Sequence, residues 1–268
     1  MNTYTQKLAL SDHLRETVMK QIITYLGFPR GSRGLDAGCG IGSHTVMLAE
    51  AIGPEGYVTG LDISPEFLKY AAEKAADNFL EDRTSFKEGN VKKIPFKDNS
   101  FDWVWSVDCI GYPIAGEGVS QIIELKRVVK NKGMIAFLTW TSEYLLPGYP
   151  LLEARLKATS AGIAPYDKTP NPEDHFMRAL GWLQKASLEK PRVKTFVGEI
   201  SAPIDDETRD ALLSLFEMRW EGAKDEVSTE DWSKLERLTQ PDSPDFILNK
   251  SDYYAIFTYT VFSGKVRK

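Results

Sequence analysis

The chain has 268 residues, 42% of them hydrophobic, and a formal net charge of -5, a composition typical of a globular protein with a substantial core. Its isoelectric point near 5.4 argues against a nucleic-acid partner, because phosphate binding depends on clustered lysine and arginine side chains. Two cysteines and three histidines show no metal-ligand spacing, and no apolar run is long enough to cross a membrane. We therefore expect a cytoplasmic protein with no metal site and no membrane partner.

The first predicted element is a helix near the N-terminus. The pair Ser11-Asp12 is typical of an N-cap, and apolar residues repeat at helical spacing from Leu14 to Leu26. Gly27 then ends the pattern.

The stretch 35–45 is the least ordinary part of the sequence. Asp36 closes a short apolar run, Gly38, Gly40 and Gly42 follow at alternate positions, and a helical pattern comes next. The glycines therefore lie on a turn between a strand and a helix, where the missing Cβ lets a ligand approach the backbone closely. The dinucleotide fingerprint G-x-G-x-x-G would require a third glycine at Ser43, so the spacing departs from it.

This D-x-G-x-G-x-G order resembles motif I of the class I methyltransferases that depend on S-adenosylmethionine (SAM). In that family the loop packs against the methionine and ribose part of SAM, and the acid accepts a hydrogen bond from the amino group. The resemblance implies that Asp36, Gly38, Gly40 and Gly42 bind the cofactor.

Two further landmarks of the family follow along the chain. A buried strand is predicted to end at Asp62, an acid that would accept the ribose hydroxyls, and Ile63 comes next. The run Gly89-Asn90-Val91 is similar to the turn that meets adenine, with asparagine where aspartate is commoner. The resemblance implies that Asp62, Ile63, Asn90 and Val91 bind the cofactor, although an acid like Asp62 would also serve NAD in a Rossmann enzyme.

The next predicted strand, Phe101 to Val107, begins with the family's F-D-x-V pattern. Its C-terminal end should face the sulfonium, because ligands of open α/β sheets bind outside the carboxyl ends of the strands. The resemblance therefore implies that Ser106 binds the cofactor and makes Asp108 a candidate base or a group that attracts a cationic acceptor. No D/N-P-P-Y motif stands here, which argues against a nucleic-acid base as acceptor.

The resemblance is continuous from about residue 34 to residue 140 and predicts an α/β fold. The expected architecture is a Rossmann-like seven-stranded sheet flanked by helices, with strand seven antiparallel. Strands six and seven are predicted over 193–200 and 253–262.

Beyond residue 140 the chain departs from a compact family member. Helical patterns near 151–161 and 173–187 predict a helical cap inserted after strand five, since so long a loop without structure would be unusual. His175 in this insertion is the best candidate base, and the alternative is a surface histidine on a cap helix. The predicted parts are an N-terminal helical lid (1–30), a SAM-binding core (31–140), the cap insertion (141–192), and the rest of the sheet with extra helices (193–268).

The implied activity is methyl transfer from SAM to a small molecule, similar to the type 11 group of methylases, which includes quinone-biosynthesis and natural-product enzymes. Such a transfer is a direct displacement, so a base is needed only for a hydroxyl or carbon-acid acceptor. The acceptor and the oligomeric state stay open. The alternatives are an NAD-dependent oxidoreductase, a SAM-binding protein without activity, and a protein methylase.

Overall fold

The computed structural model describes residues 3–112, 116–164 and 171–268, with side chains from residue 5 onward. Helices and strands alternate through its first half, as βαβ units require. The helices are α1 (Thr3–Leu26), α2 (Ser43–Ala51), α3 (Pro65–Asp77), α4 (Gly118–Val128), α5 (Pro150–Lys157), α6 (Ser160–Ile163), α7 (Ala179–Lys185), α8 (Asp206–Trp220) and α9 (Thr229–Thr239). The strands are β1 (Arg33–Ala37), β2 (Tyr57–Asp62), β3 (Thr84–Glu88), β4 (Phe101–Val107), β5 (Val129–Tyr144), β6 (Glu189–Ser201) and β7 (Tyr254–Lys265).

The seven strands form one sheet in the order β3-β2-β1-β4-β5-β7-β6. Neighbouring strands from β3 to β5 are parallel. At the other side the Lys132 N–H donates to the Val266 carbonyl (2.8 Å), and the Thr141 hydroxyl meets that of Thr258 (2.8 Å). Residue numbers fall along β7 as they rise along β5, so β7 is antiparallel. The predicted fold class is confirmed.

The chain divides into two compact units, and the long strands β5, β6 and β7 contribute residues to both. One unit comprises residues 19–140, 169–196 and 259–268 and contains β1 to β4. Its apolar core joins the inner strands to α4 and α7 through Leu35, Val104, Leu125, Phe137 and Leu183.

The other unit comprises residues 1–18, 141–168 and 197–258. Within it the rings of Phe216 and Trp220 stack with centroids 5.5 Å apart, and the Tyr253 hydroxyl donates to the Leu145 carbonyl (3.1 Å). Among the described residues of the chain, no helix is both long and apolar enough to span a bilayer.

Two predicted helix boundaries are wrong. Helix α1 begins at Thr3, and the Ser11 hydroxyl donates to the Leu8 carbonyl within the helix (2.8 Å) instead of capping its start. The helix predicted over 173–187 is shorter, because two 3-10 turns precede α7 and His175, in extended backbone, separates them. Both errors have one cause, since a polar side chain bonds a nearby backbone group in a cap and inside a helix alike.

Candidate active site

The glycine loop connects the end of β1 to the start of α2. Gly38, Gly40 and Gly42 have φ values of +80°, +51° and +82°, a region that residues with a Cβ rarely adopt. The N–H groups of Gly38 and Cys39 both donate to the Leu61 carbonyl, at 2.7 and 3.0 Å. The loop is thereby held against the end of β2, the next strand of the sheet.

The three glycines have different surroundings. A Cβ on Gly38 would lie 2.6 Å from the Cys109 sulfur, and one on Gly42 would lie 2.6 Å from the Ala71 Cβ. A Cβ on Gly40 would meet no atom within 4 Å. Gly38 and Gly42 are therefore required by packing, whereas Gly40 presents its backbone to open space where a ligand can approach.

Asp36 is a buried carboxyl group beneath this loop, with a side chain 1% exposed. The Thr45 hydroxyl donates to its Oδ2 atom (2.7 Å), while its Oδ1 atom has no hydrogen-bond partner. Burial raises the pKa of Asp36 to about 7, the Thr45 hydrogen bond opposes the shift, and repulsion from Asp62 adds to it. A buried acceptor of this kind favours a ligand that brings a donor, and an ammonium group is the strongest.

Asp62 stands at the end of β2 and joins the loop to the next helix. Its Oδ2 atom accepts from the Gly40 N–H (2.9 Å) and its Oδ1 atom from the Ser64 N–H (3.0 Å). Ser64 in turn caps α3, its hydroxyl accepting from the Phe67 N–H. A carboxylate has about four acceptor positions, so Asp62 can still accept from ligand hydroxyls. Ile63, next to it, is 66% exposed and offers an apolar surface.

The turn predicted to meet adenine lies beside Asp62. The Gly89 N–H donates to the Asp62 carbonyl (2.9 Å), which places Asn90 immediately after β3 at the same edge of the sheet. The Asn90 Oδ1 atom accepts from the Lys92 N–H (2.9 Å) and closes the turn, and Val91 packs against the core. Asn90 therefore shapes this turn. Its contact with adenine stays a prediction.

Ser106 and Cys109 support the loop from below. Ser106 is fully buried, and its hydroxyl donates to the Ala37 carbonyl (2.6 Å) immediately before the first glycine. Burial, with repulsion from Asp62, raises the pKa of the Cys109 thiol to about 12, so this cysteine is a packing group and not a thiolate. The structure thus places Ser106 beneath the loop and outside its open space.

Asp108 has a different environment from Asp36. It has a φ of +48°, and its Oδ1 atom accepts from the Trp140 N–H (2.8 Å) while its Oδ2 atom accepts from the Tyr259 hydroxyl (2.9 Å). The Trp140 and Tyr259 rings meet edge to face with centroids 5.5 Å apart. Because both oxygen atoms are engaged, this carboxylate connects β4 to β5 and β7, a positioning role that a free base would not have.

His175 lies between the two 3-10 turns before α7. Its Nδ1 atom accepts from the Met177 N–H (3.2 Å), so the proton of the neutral ring is on Nε2. Burial lowers the pKa of His175, and its ring lies 4.2 Å from that of Phe176. Both of these contacts are with residues of its own segment. The lowered pKa favours the neutral form of the ring, which a base requires.

Sequence reasoning missed Thr45 and Ala71, which hold the loop in place. Thr45 lies at the start of the helix that follows the glycines, where hydroxyl side chains are common. Nothing in the sequence therefore indicated that its hydroxyl donates a hydrogen bond to Asp36. Ala71 lies on the apolar face of α3, and only the contact with Gly42 shows that its small size matters.

Comparison with known proteins agrees with this geometry. A family described as a methyltransferase domain matches residues 35–133, from the strand before the glycine loop into β5. Residues 35–133 are thus similar to a methyltransferase domain. A curated relative, demethylmenaquinone methyltransferase of Listeria monocytogenes serotype 4a, is 36% identical over 132 residues, which are 48% of this chain and 53% of the relative. The chain thus spans about half the length of the curated relatives it matches.

Solved structures share the fold of the matched region and its surroundings. A SAM-dependent methyltransferase from Aquifex aeolicus superposes with a TM-score of 0.52 at 23% identity, covering 72% of this chain and 91% of that one. Phosphoethanolamine N-methyltransferase 2 from Haemonchus contortus, solved with SAM, gives a TM-score of 0.54 at 18% identity, covering 93% and 52%. At these identities the likeness concerns the fold.

The residues of the matched region fit SAM. The Oδ1 atom of Asp36 lacks a donor, the backbone at Gly40 is open, and Ile63 is an exposed apolar side chain one residue after Asp62. Position 43, where a dinucleotide site would have its third glycine, is a serine that begins α2 and contacts Lys74. The site therefore differs from a dinucleotide fingerprint in structure as well as in spacing.

Proposed function

We propose that this chain is a SAM-dependent methyltransferase that acts on a small molecule in the cytoplasm. The observation that carries the proposal is the buried Oδ1 atom of Asp36, an acceptor without a donor beneath a glycine loop whose middle glycine is open. The match to a methyltransferase domain and the shared fold also support SAM as the methyl donor. Two free cysteines, Cys39 buried and Cys109 partly buried, agree with a reducing compartment.

SAM supplies a methyl group already activated by a sulfonium, so the task of the protein is to hold donor and acceptor and to exclude water. Asp36 would accept from the amino group, and the backbone at Gly40 would lie against the methionine and ribose part. Asp62 would accept from the ribose hydroxyls with its remaining lone pairs. Ile63 and the turn at Asn90 and Val91 would receive the adenine.

For the acceptor we propose a small molecule and not a nucleic acid. The relative in Listeria acts, by its name, on demethylmenaquinone, and the acidic charge balance of this chain disfavours a polyanionic partner. Where the acceptor must lose a proton, His175 is the better base of the two candidates. Its neutral form is favoured by burial, whereas both oxygen atoms of Asp108 already accept hydrogen bonds. That residues 141–192 act as a cap stays a prediction.

The test is calorimetric titration of the purified protein with SAM, S-adenosylhomocysteine, NAD and NADP, supported by thermal shifts, since a ligand of the native state raises the unfolding midpoint. We expect binding of SAM and S-adenosylhomocysteine and none of the dinucleotides. Binding of NAD instead of SAM would establish the oxidoreductase alternative. Formation of S-adenosylhomocysteine in the presence of quinol, phenol and amine acceptors then separates an enzyme from a protein that only binds SAM.

A further inference from the structure

The strand β6 is the last in the sheet and is unusually exposed. Only Ile200 of its residues is buried, and Val193 and Val197 are 49% and 48% exposed. Within the described part of the chain, no strand pairs with β6 on the side away from β7. A long open edge with exposed valines is a template for pairing with another strand.

The pairing of β6 with β7 shows which backbone groups face outward. Three contacts fit one antiparallel register: the Ala202 N–H donates to the Tyr253 carbonyl (2.9 Å), the hydroxyls of Thr195 and Thr260 are 2.9 Å apart, and a Cβ on Gly198 would overlap the Phe257 ring. Because Ala202 bonds β7, even-numbered residues of β6 also bond β7 and odd-numbered residues direct their N–H and C=O groups outward. The outward positions are Pro191, Val193, Thr195, Val197 and Glu199.

We propose that β6 pairs antiparallel with β6 of a second copy of this chain, about a two-fold axis at Thr195. In this register Val193 lies opposite Val197 of the second copy, and Thr195 lies opposite itself. These residues exchange both backbone hydrogen bonds with their partners, while Pro191, which has no N–H, can only accept from Glu199. A proline at an outward position is also where an edge strand tolerates one.

Charge disfavours the two registers whose axis lies nearer the N-terminal end of β6. The even-numbered face of β6 carries Lys190, Arg192 and Lys194, followed by Phe196. An axis at Val193 would place Arg192 opposite Lys194, and an axis at Lys194 would place Lys194 opposite itself, both of which are repulsive. The axis at Thr195 places Lys194 opposite Phe196, a cation-π pair that already occurs within the chain at 4.8 Å.

The first test measures the mass of the full chain by sedimentation velocity from about 1 to about 100 μM, a range that covers weak and strong homodimers. We expect a dimer that dissociates on dilution. The double variant V193K/V197K places lysine opposite lysine twice and should weaken the dimer at least about tenfold, whereas V193K/V197E places lysine opposite glutamate and should retain it. Both positions are exposed, so a melting temperature equal to that of the wild type at about 1 μM, where the dimer has dissociated, confirms that the variants fold.

The second test fixes the axis by disulfide formation between copies. A cysteine at Thr195 would lie opposite itself, at the Cα separation of about 5.5 Å of a hydrogen-bonded antiparallel pair, which a disulfide accepts. T195C should therefore form a covalent dimer under mild oxidation. V193C is the matched control and should stay monomeric on a denaturing gel, because its partner is Val197. A monomeric wild-type chain at every concentration, or cross-linking of V193C in preference to T195C, would overturn the proposal.

Discussion

Two carboxylates at the carboxyl ends of neighbouring strands differ in what surrounds them. Asp36 precedes the glycine loop at the end of β1, is buried, and has one oxygen atom without a donor. Asp108 follows β4 and has both oxygen atoms engaged, by the Trp140 N–H and the Tyr259 hydroxyl. The first environment leaves one acceptor atom without a donor, whereas the second connects three strands. Position at the ligand-binding edge of the sheet does not by itself make a side chain functional.

The largest expected effect that tests this difference is a pH dependence of the free energy of unfolding, caused by Asp36. Burial raises its pKa from 3.8 to about 7, so the unfolded chain loses this proton between about pH 4 and 7 while the folded chain keeps it. The folded state therefore loses stability as pH rises through this window, by up to about 4 kcal/mol. Asp36→Asn removes the titration. The free energy of unfolding of the wild type, relative to this variant, should fall from pH 4 to 7 and then level off.

Denaturant titrations at several pH values make this measurement, and the comparison with Asp36→Asn cancels the titration of every other carboxylate. Parallel curves for the two proteins would show that folding does not raise the pKa of Asp36.

The next effect concerns Asp108. Asp108→Ala removes the acceptor of two hydrogen bonds, one of them from the buried Tyr259, and should lower the free energy of unfolding by about 2–3 kcal/mol. Asp108→Asn keeps one acceptor oxygen and tolerates a positive φ, so about half of that loss is expected. A double-mutant cycle with Tyr259→Phe measures the coupling. An Asp108→Ala protein of full stability but no activity would identify a base and not a positioning residue.

The third prediction concerns Asp62, a proposed ligand-binding carboxylate. Asp62→Ala should weaken SAM binding well over tenfold, or more than about 1.4 kcal/mol, because the variant loses the proposed ribose acceptor and the hydrogen bond from Gly40. Calorimetry with SAM checks it. Asp77→Ala is the matched control, since Asp77 is an exposed carboxylate at the end of α3. Equal affinities of the two variants would remove Asp62 from the proposed site.

The smallest expected effect on stability distinguishes the open glycine from a packed one. Gly40→Ala meets no atom and should cost only about 1 kcal/mol for its left-handed backbone. Gly42→Ala has the same backbone cost and also overlaps Ala71, so it should destabilise the protein further. Thermal unfolding compares the two. If Gly40→Ala nevertheless lowers SAM affinity, the open space at this position belongs to the ligand.

Local patterns in the sequence predicted the strand-loop-helix core, whereas the fold class followed from the resemblance to the methyltransferase family. A buried strand, three glycines with positive φ and a capped helix at Ser64 follow each other within a few dozen residues. The start of α1 and the break at His175 were predicted wrongly, because the same polar side chains serve inside helices, in turns and at caps.

The sequence by itself thus determined the glycine loop and the acids at the ends of the first two strands, since spacing along the chain decides which residues reach a strand end. Only the tertiary structure decided what each acid does. Tyr259, which engages Asp108, is 151 residues away along the chain. The exposure of β6 likewise depends on its place as the last strand. Partners brought together across a sheet are set by strand order and register, which no local pattern encodes.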